Sequence, residues 1–239
     1  MTDSLFSYPV KLVKYIASCG IASRRNSFDM IRDGRVSVND TIIVEPSYMV
    51  QESDSVSVNG KKVSLQSYVY IMLNKPRGYA CTSSDPYADK KAIDLIKCSS
   101  RIFNVGRLDK DSEGLIIFTN DGDYANKLIH PSNSILKRYE VTTSSPIPKP
   151  KLDELIRGIK DEGEILKALS INEIAHNKYL FTLGEGKKRE IRRMVTYAGE
   201  KVIKLVRISI GSLQLNSLKI GQWRHMTEKE IKQSLDNGG

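Results

Sequence analysis

The first thirty-four residues carry two runs of helix-like apolar spacing. Apolar side chains recur with the period of an α-helix on either side of Gly20, where we expect the first helix to end. Ser23 is a typical N-cap for the second helix, which we expect to stop at Gly34. This pattern predicts a pair of short helices near the start of the chain.

Strand-like alternation follows directly. Residues 35–39 and 54–58 alternate apolar and polar side chains, and Asn59 and Gly60 form a dipeptide typical of hairpin turns. Two helices and a few short strands make a compact small domain, which we place at residues 1–66. A polar connector around residues 61–67 then leads into the rest of the chain.

Residues 67–239 mix the two periodicities and show no internal repeat. Strands are predicted at residues 68–73, 102–106, 115–119, 136–143, 164–174, 178–184 and 202–209. Helices are predicted at residues 122–130, 150–158, 188–198 and 227–235. Three prolines in residues 144–150 interrupt any strand there, so that segment is expected to be a loop. The fold class is therefore α+β, with a second domain at residues 67–239.

Composition narrows the protein class. The chain has 239 residues, 40% of them apolar and 27% charged, which is ordinary for a globular protein and excludes intrinsic disorder. Its first twenty residues show no signal-peptide pattern, and its apolar runs are too short to cross a membrane, so a cytoplasmic location is expected. Three cysteines and three histidines are widely scattered, which argues against disulfides and against a metal site.

The positive charge is unevenly distributed. The net charge is +9, yet residues 1–66 contribute only +1 of it. Between residues 185 and 207 there are eight basic side chains against three acidic ones. Such a stripe suits a polyphosphate backbone, and it also suits an ordinary solvated face. Charge alone does not decide between these alternatives.

An acidic loop, GRLDKDSEG at residues 106–114, resembles the start of a calcium-binding loop. If Asp109 takes the first position, Asp111, Glu113 and Gly114 follow acceptably. Asn120 then falls where a bidentate glutamate is required, and the flanking sequences predict strands instead of helices. We reject the calcium site. Aspartates in turns commonly cap backbone N–H groups, and this is the reading we prefer for Asp111.

The small domain resembles the S4 RNA-binding domain. The resemblance is carried by GIASRR at residues 20–25, IRDGRVSVN at residues 31–39 and DSVSVNG at residues 54–60. In that family the helical pair presents basic side chains to structured RNA. The resemblance therefore implies RNA contacts by four arginines, namely Arg24, Arg25, Arg32 and Arg35.

The larger domain resembles the pseudouridine synthases that modify ribosomal RNA, in the group that carries an S4 domain. The motifs are GRLDKDSEGL (106–115), TNDG (119–122), NKPRG (74–78), KRYEV (137–141), EGKKREIRRM (185–194), LVRI (205–208) and GQWR (221–224). Each motif alone is weak, but together they span the chain in order. The resemblance implies a mixed, mostly antiparallel catalytic sheet. It slightly favours the large-subunit enzymes.

The resemblance assigns roles by position. Asp109 corresponds to the catalytic aspartate of the GRLD motif, and Tyr139 to a tyrosine whose ring stacks on the uracil. Arg192 corresponds to an arginine that pairs with the aspartate, and Leu205 to an apolar residue of the base pocket. Arg107 is a further expected substrate contact.

RNA phosphate contacts are expected from the remaining basic residues of these motifs. They are Lys75, Arg77, Lys188, Arg189 and Arg193. On the helix predicted at residues 188–198, Arg192 lies at the edge of the apolar face and the other basic side chains are turned away from it. Together with the pairing that the resemblance implies, this predicts Arg192 pointing inward to Asp109 and the others pointing outward to phosphate.

The expected partner is ribosomal RNA or a pre-ribosomal particle, the expected oligomeric state is a monomer, and no cofactor or metal is implied. The alternative is a non-catalytic RNA-binding assembly factor on the same fold. Such a factor would be marked by the loss of Asp109, Tyr139 or Arg192, and all three are present.

Overall fold

The computed structural model describes residues 8–82 and 88–237. Residues 1–7, part of the segment inspected for a targeting signal, lie outside these ranges. The chain divides into two compact units, the first up to Val69 with Cys98–Ile102, the second formed by Tyr70–Lys97 and the chain from Phe103 onwards. Within the described ranges, no helix has the length and apolar character needed to cross a bilayer.

Six α-helices and seventeen strands are present in the described residues. The helices are α1 (Leu12–Ser18), α2 (Arg24–Arg32), α3 (Gly122–Ile129), α4 (Lys149–Arg157), α5 (Glu190–Tyr197) and α6 (Glu228–Leu235). The strands of the first unit are β1 (Val10–Lys11), β2 (Val36–Val38), β3 (Thr41–Ile42), β4 (Met49–Val50), β5 (Val56–Val58) and β6 (Lys61–Lys62). Those of the second unit are β7 (Tyr70–Lys75), β8 (Phe103–Val105), β9 (Glu113–Thr119), β10 (Lys137–Thr143), β11 (Ile159–Asp161), β12 (Glu164–Leu166), β13 (Ser170–Ala175), β14 (Lys178–Leu183), β15 (Val202–Ile210), β16 (Leu213–Gln214) and β17 (Trp223–His225).

The first unit confirms the predicted helical pair. The hydroxyl of Ser23 accepts a hydrogen bond from the backbone N–H of Asn26 at 3.1 Å, which caps α2 as expected. Asn59 and Gly60 both have positive φ, as the turn between β5 and β6 requires. The unit contains a four-stranded sheet in the order β3-β2-β5-β6, and α1 and α2 share with it a core of buried aliphatic side chains.

A nine-stranded sheet forms the centre of the second unit. Its main path runs β13-β14-β10-β15-β9-β7-β17, with β16 paired to β15 and β8 paired to β9. Only the β9–β15 pairing within this sheet is parallel, so the predicted mixed, mostly antiparallel architecture is confirmed. A core that includes Met72, Leu115 and Ile117 packs against α3 and buries the middle of the sheet.

Among the sequence-based boundaries that differ from the structure, two bear on the functional site. The strand predicted at residues 164–174 is divided: β12 pairs with β11 in a separate hairpin, whereas β13 forms an edge of the central sheet. The chain redirects between them, where the buried Ala168 donates its N–H to the Leu155 carbonyl. The helix predicted from residue 188 begins at Glu190, because Arg189 has φ +51° and lies outside the helical region.

Candidate active site

The acidic loop is a tight turn between β8 and β9. The Ser112 N–H donates to the Asp109 carbonyl at 3.0 Å, and the Gly78 N–H donates to the Lys110 carbonyl at 2.7 Å. These contacts fix the backbone on both sides of the Asp109 side chain, which keeps 30% of its surface exposed. The turn therefore presents a carboxylate without burying it.

Two guanidinium groups lie beside that carboxylate. Arg192 Nε and Arg189 Nη1 are each 3.9 Å from Asp109 Oδ2. Arg192 is anchored further, because its Nη2 donates to the Asp111 carbonyl at 3.0 Å and to Ser112 Oγ at 3.4 Å. Burial lowers the pKa of Arg192, and Arg189 lowers it further by charge repulsion. The two guanidinium groups give Asp109 positively charged surroundings.

A pocket of about 510 Å³ opens beside Asp109. Its lining comprises Gly106, Arg107, Leu108, Asp109, Ser112, Tyr139, Leu183, Gly186, Lys187, Lys188, Arg189, Glu190, Ile191 and Leu205. Tyr139 and Leu205 reach it from neighbouring strands, since Tyr139 of β10 faces Arg207 of β15 and Leu205 lies two positions earlier on the same face. Apolar side chains, basic side chains and the carboxyl groups of Asp109 and Glu190 therefore line a single cavity.

Residues 69–197 match the profile of the RNA pseudouridylate synthase family, and residues 10–56 match that of the S4 domain. The chain belongs to the RNA pseudouridylate synthase family. The resemblance recognised in the sequence is thereby confirmed, and membership of this family makes the protein an enzyme. Within the described residues, no cluster of three His, Cys, Asp or Glu side chains could hold a metal ion.

Named relatives cover nearly the whole synthase. It is 39% identical to the ribosomal large subunit pseudouridine synthase B of Bacillus subtilis (strain 168), over 93% of this chain and 94% of the relative. It is 36% identical to the dual-specificity RNA pseudouridine synthase RluF of Escherichia coli (strain K12), over 93% of this chain and 77% of that protein. A crystal structure of a pseudouridylate synthase superposes with a TM-score of 0.68 at 27% identity, covering 94% of this chain and 99% of the other.

Most of the basic residues predicted to contact RNA are exposed in the synthase. Arg107, Lys188 and Arg189 are exposed at the rim of the pocket, and Arg77 is exposed and close enough to lower the pKa of Arg192. In the S4 unit, the four predicted arginines are all exposed on α2 and the turn after it, namely Arg24, Arg25, Arg32 and Arg35.

Lys75 is not available to RNA, which corrects the sequence-based expectation. Its side chain is fully buried at the end of β7, and its ammonium donates to the carbonyls of Tyr79 at 2.8 Å and Pro76 at 3.0 Å. Burial lowers its pKa. Lys75 therefore ties together the loop that follows β7.

Arg193 is held by acidic side chains of the protein itself. Its Nε lies 2.5 Å from Asp161 Oδ2 and its Nη1 lies 2.7 Å from Glu164 Oε2, so the hairpin of β11 and β12 holds it. Lys187 reaches the same hairpin, donating to the Ile165 carbonyl at 2.6 Å. The two basic residues brace the pocket wall against the hairpin, which corrects the expectation that Arg193 faces RNA.

Two basic side chains near Tyr139, the buried Arg207 and the half-buried Lys137, had no assigned role in the sequence analysis. Arg207 is 4% exposed, and although its Nε donates to the Leu115 carbonyl at 2.7 Å, its Nη2 has no hydrogen-bond partner. Lys137 lies on the same strand face as Tyr139 and has its pKa lowered to about 8, by burial and by Arg207, against the opposing effect of Glu190. The sequence could have indicated this position, because Lys137 is two residues before Tyr139 and alternate residues of a strand lie on the same face.

Lys137 should make the stability of the synthase depend on alkaline pH. Unfolding becomes less favourable as pH rises wherever the unfolded chain binds more protons than the folded one. For Lys137 this window runs from about 8, its folded pKa, to the ordinary value of 10.5. Urea unfolding of the wild type should therefore show a stability gain across this window that is smaller in Lys137→Met. The same change at the exposed Lys160 should leave the gain unaltered; equal pH profiles for wild type and Lys137→Met would contradict the prediction.

Proposed function

We propose that this synthase converts a uridine of ribosomal RNA to pseudouridine, with Asp109 as the reacting carboxylate. The observation that carries the proposal is the position of Asp109 at a pocket that also contains Tyr139 and Leu205, with Arg192 beside the carboxylate. The name of the Bacillus subtilis relative supports the large ribosomal subunit as the source of the RNA.

The isomerisation detaches uracil at its N1–C1′ bond, turns the base, and rejoins it through C5. A carboxylate carries negative charge at neutral pH and is able to act on the ribose. Attack on C1′ and removal of a ribose proton are both open to it, and both require the sugar beside Asp109. Arg192 is anchored to the loop through the Asp111 carbonyl, and its guanidinium attracts the carboxylate by charge from 3.9 Å, which keeps a positive charge beside the reacting oxygens.

The pocket supplies the remaining requirements. A uridine in folded RNA must leave its stack before Asp109 reaches the ribose, and an extruded base needs an apolar surface to receive it. We assign this surface to the ring of Tyr139 and to Leu205, both less than a tenth exposed. We assign proton handling at the base to the Tyr139 hydroxyl: C5 loses its proton to solvent, and N1, released from C1′, takes up a proton in its place.

We further propose a division of labour along the chain. Residues 1–66 bind structured RNA through the exposed arginines of α2, and residues 67–239 carry out the reaction. Arg107, Arg77 and Lys188 contact phosphates near the pocket. All proposed catalytic groups belong to one chain, so a monomer contains a complete site.

Release of tritium from RNA labelled at uridine C5 tests the proposal. The wild-type protein should release tritium from transcripts of large-subunit ribosomal RNA, because pseudouridine formation replaces the C5–H bond. Small-subunit transcripts serve as the comparison, and primer extension after carbodiimide treatment locates the modified position. Tight RNA binding without tritium release from either transcript or from precursor particles would favour the non-catalytic assembly factor.

A further inference from the structure

The two arginines beside Asp109 are held differently. Arg192 is 15% exposed and donates two hydrogen bonds to the loop that carries Asp109. Arg189 is 46% exposed, and its side chain makes no hydrogen bond to any residue that the structure describes. Its only ionic neighbour at 4 Å in these ranges is Asp109, at a distance too long for a hydrogen bond. One guanidinium is therefore fixed and the other is retained by charge alone.

The backbone at Arg189 also differs from an ordinary helix start. Arg189 is the N-cap of α5 with φ +51° and ψ +30°, and its side chain caps no backbone N–H. Ser, Thr, Asp or Asn would cap the helix, and Gly or Asn would accept this left-handed conformation at less cost. An arginine here is unfavourable for local structure. The position gains instead a long cationic side chain at the pocket rim.

Electrostatics favours removing Arg189 from the carboxylate when an anion arrives. Arg189 and Arg192 repel each other, and this repulsion contributes to the lowered pKa of Arg192. A phosphate binds guanidinium through charge-assisted, often bidentate hydrogen bonds, which the 3.9 Å contact with Asp109 does not provide. Rotation of an exposed side chain is sufficient for the exchange.

We propose that Arg189 is a substrate-recognition residue that exchanges Asp109 for a phosphate of the RNA strand entering the pocket, leaving the carboxylate with Arg192 alone. The inference rests on the proposed function and deepens it. In the free protein, Arg189 partly neutralises Asp109. In the complex, it neutralises a phosphate that would otherwise repel the carboxylate. When Arg189 binds the RNA phosphate it leaves Asp109, so RNA binding exposes the reacting carboxylate oxygens.

A four-protein cycle tests the exchange without requiring turnover. The proteins are wild type, Asp109→Asn, Arg189→Gln and the double variant, and the probe is large-subunit ribosomal RNA already treated to completion with wild-type protein. Filter binding gives the affinity of each at several salt concentrations. Asp109→Asn should increase the RNA affinity more when Arg189 is present than in the Arg189→Gln background. Removing the carboxylate frees Arg189 to bind phosphate, and this gain is absent when Arg189 has been replaced. Equal effects in both backgrounds would overturn the proposal.

The salt dependence and the kinetics give independent checks. Arg189→Gln should lower the slope of log affinity against log salt by about 0.7 to 0.9, the contribution of one phosphate contact. Arg189→Lys should restore the slope, and Lys229→Gln, which removes an exposed charge on α6, should leave it unchanged. In tritium release, Arg189→Gln should raise KM about tenfold, as expected for a lost charged hydrogen bond.

A loss in kcat without a change in KM would show that Arg189 stays with Asp109 in the complex, and would overturn the exchange. Arg192→Gln provides the contrast, since loss of the fixed arginine should lower kcat. If the wild type releases no tritium, the proposed function fails, while the binding cycle still decides whether RNA and Asp109 share Arg189.

Discussion

Asp109→Asn is expected to reduce tritium release from C5-labelled ribosomal RNA by about a thousandfold or more, the scale of loss seen when a group that reacts directly is removed. The amide has nearly the same shape as the carboxylate, but it has no negative charge to attack C1′ or to accept a ribose proton. The fold should survive, because the hydrogen bond that shapes this turn uses the main-chain carbonyl of Asp109.

The neighbouring Asp111 provides the matched control. Its side chain is exposed, and its contact with Arg192 is made by the main-chain carbonyl, which Asp111→Asn preserves. This variant should lose less than about tenfold in rate, as expected for a mainly electrostatic change at an exposed site. Equal losses in the two variants would mean that the acidic character of the loop matters as a whole, and would remove Asp109 from its assigned role.

Gly114→Ala is expected to destabilise the second unit by about 3 kcal/mol or more, through backbone strain and steric overlap together. Gly114 has φ +106°, and a Cβ atom there would lie 2.3 Å from the Arg207 carbonyl oxygen and 2.6 Å from its nitrogen. These are backbone atoms of β15, so no side chain can move aside. The overlap falls at the parallel pairing of β9 and β15, directly after the acidic loop.

Urea unfolding followed by the fluorescence of Trp223 measures this effect. Trp223 is the single tryptophan and lies on β17, so it reports on the second unit. Gly122→Ala is the control, because Gly122 begins α3, has no positive φ and has open space around its Cβ position. It should be neutral or stabilising by up to about 1 kcal/mol. Similar midpoints for Gly114→Ala and the wild type would contradict the steric account.

Much of the fold was predictable because local patterns determine it. Amphipathic spacing located α3, α4 and α6 to within a residue or two, and Ser23 marked the start of α2. The sequence could not show that residues 164–174 divide between two sheets. A single run of strand-forming residues is compatible with either arrangement, and the pairing partner of each half is set by contacts outside the run.

The site shows the same limit for charged residues. The sequence shows that a lysine or arginine is positively charged, but the orientation of its side chain and its partners depend on residues elsewhere in the chain. Lys75 is buried among carbonyls, Arg193 is held by the acidic residues of a hairpin, and Arg207 is buried and bonded to the Leu115 carbonyl. The basic stripe was therefore real in composition but only partly available to RNA.

By itself, the sequence determined the family motifs, their order, and the turn that carries Asp109, since these are properties of short contiguous segments. The tertiary structure decided which arginines meet the carboxylate. The sequence predicted a helix from residue 188, and on that helix Arg189 would point away from Asp109. In the structure α5 starts at Glu190 instead. Because Arg189 precedes the first helical turn in a left-handed conformation, its side chain no longer follows the helical period and reaches Asp109 beside Arg192.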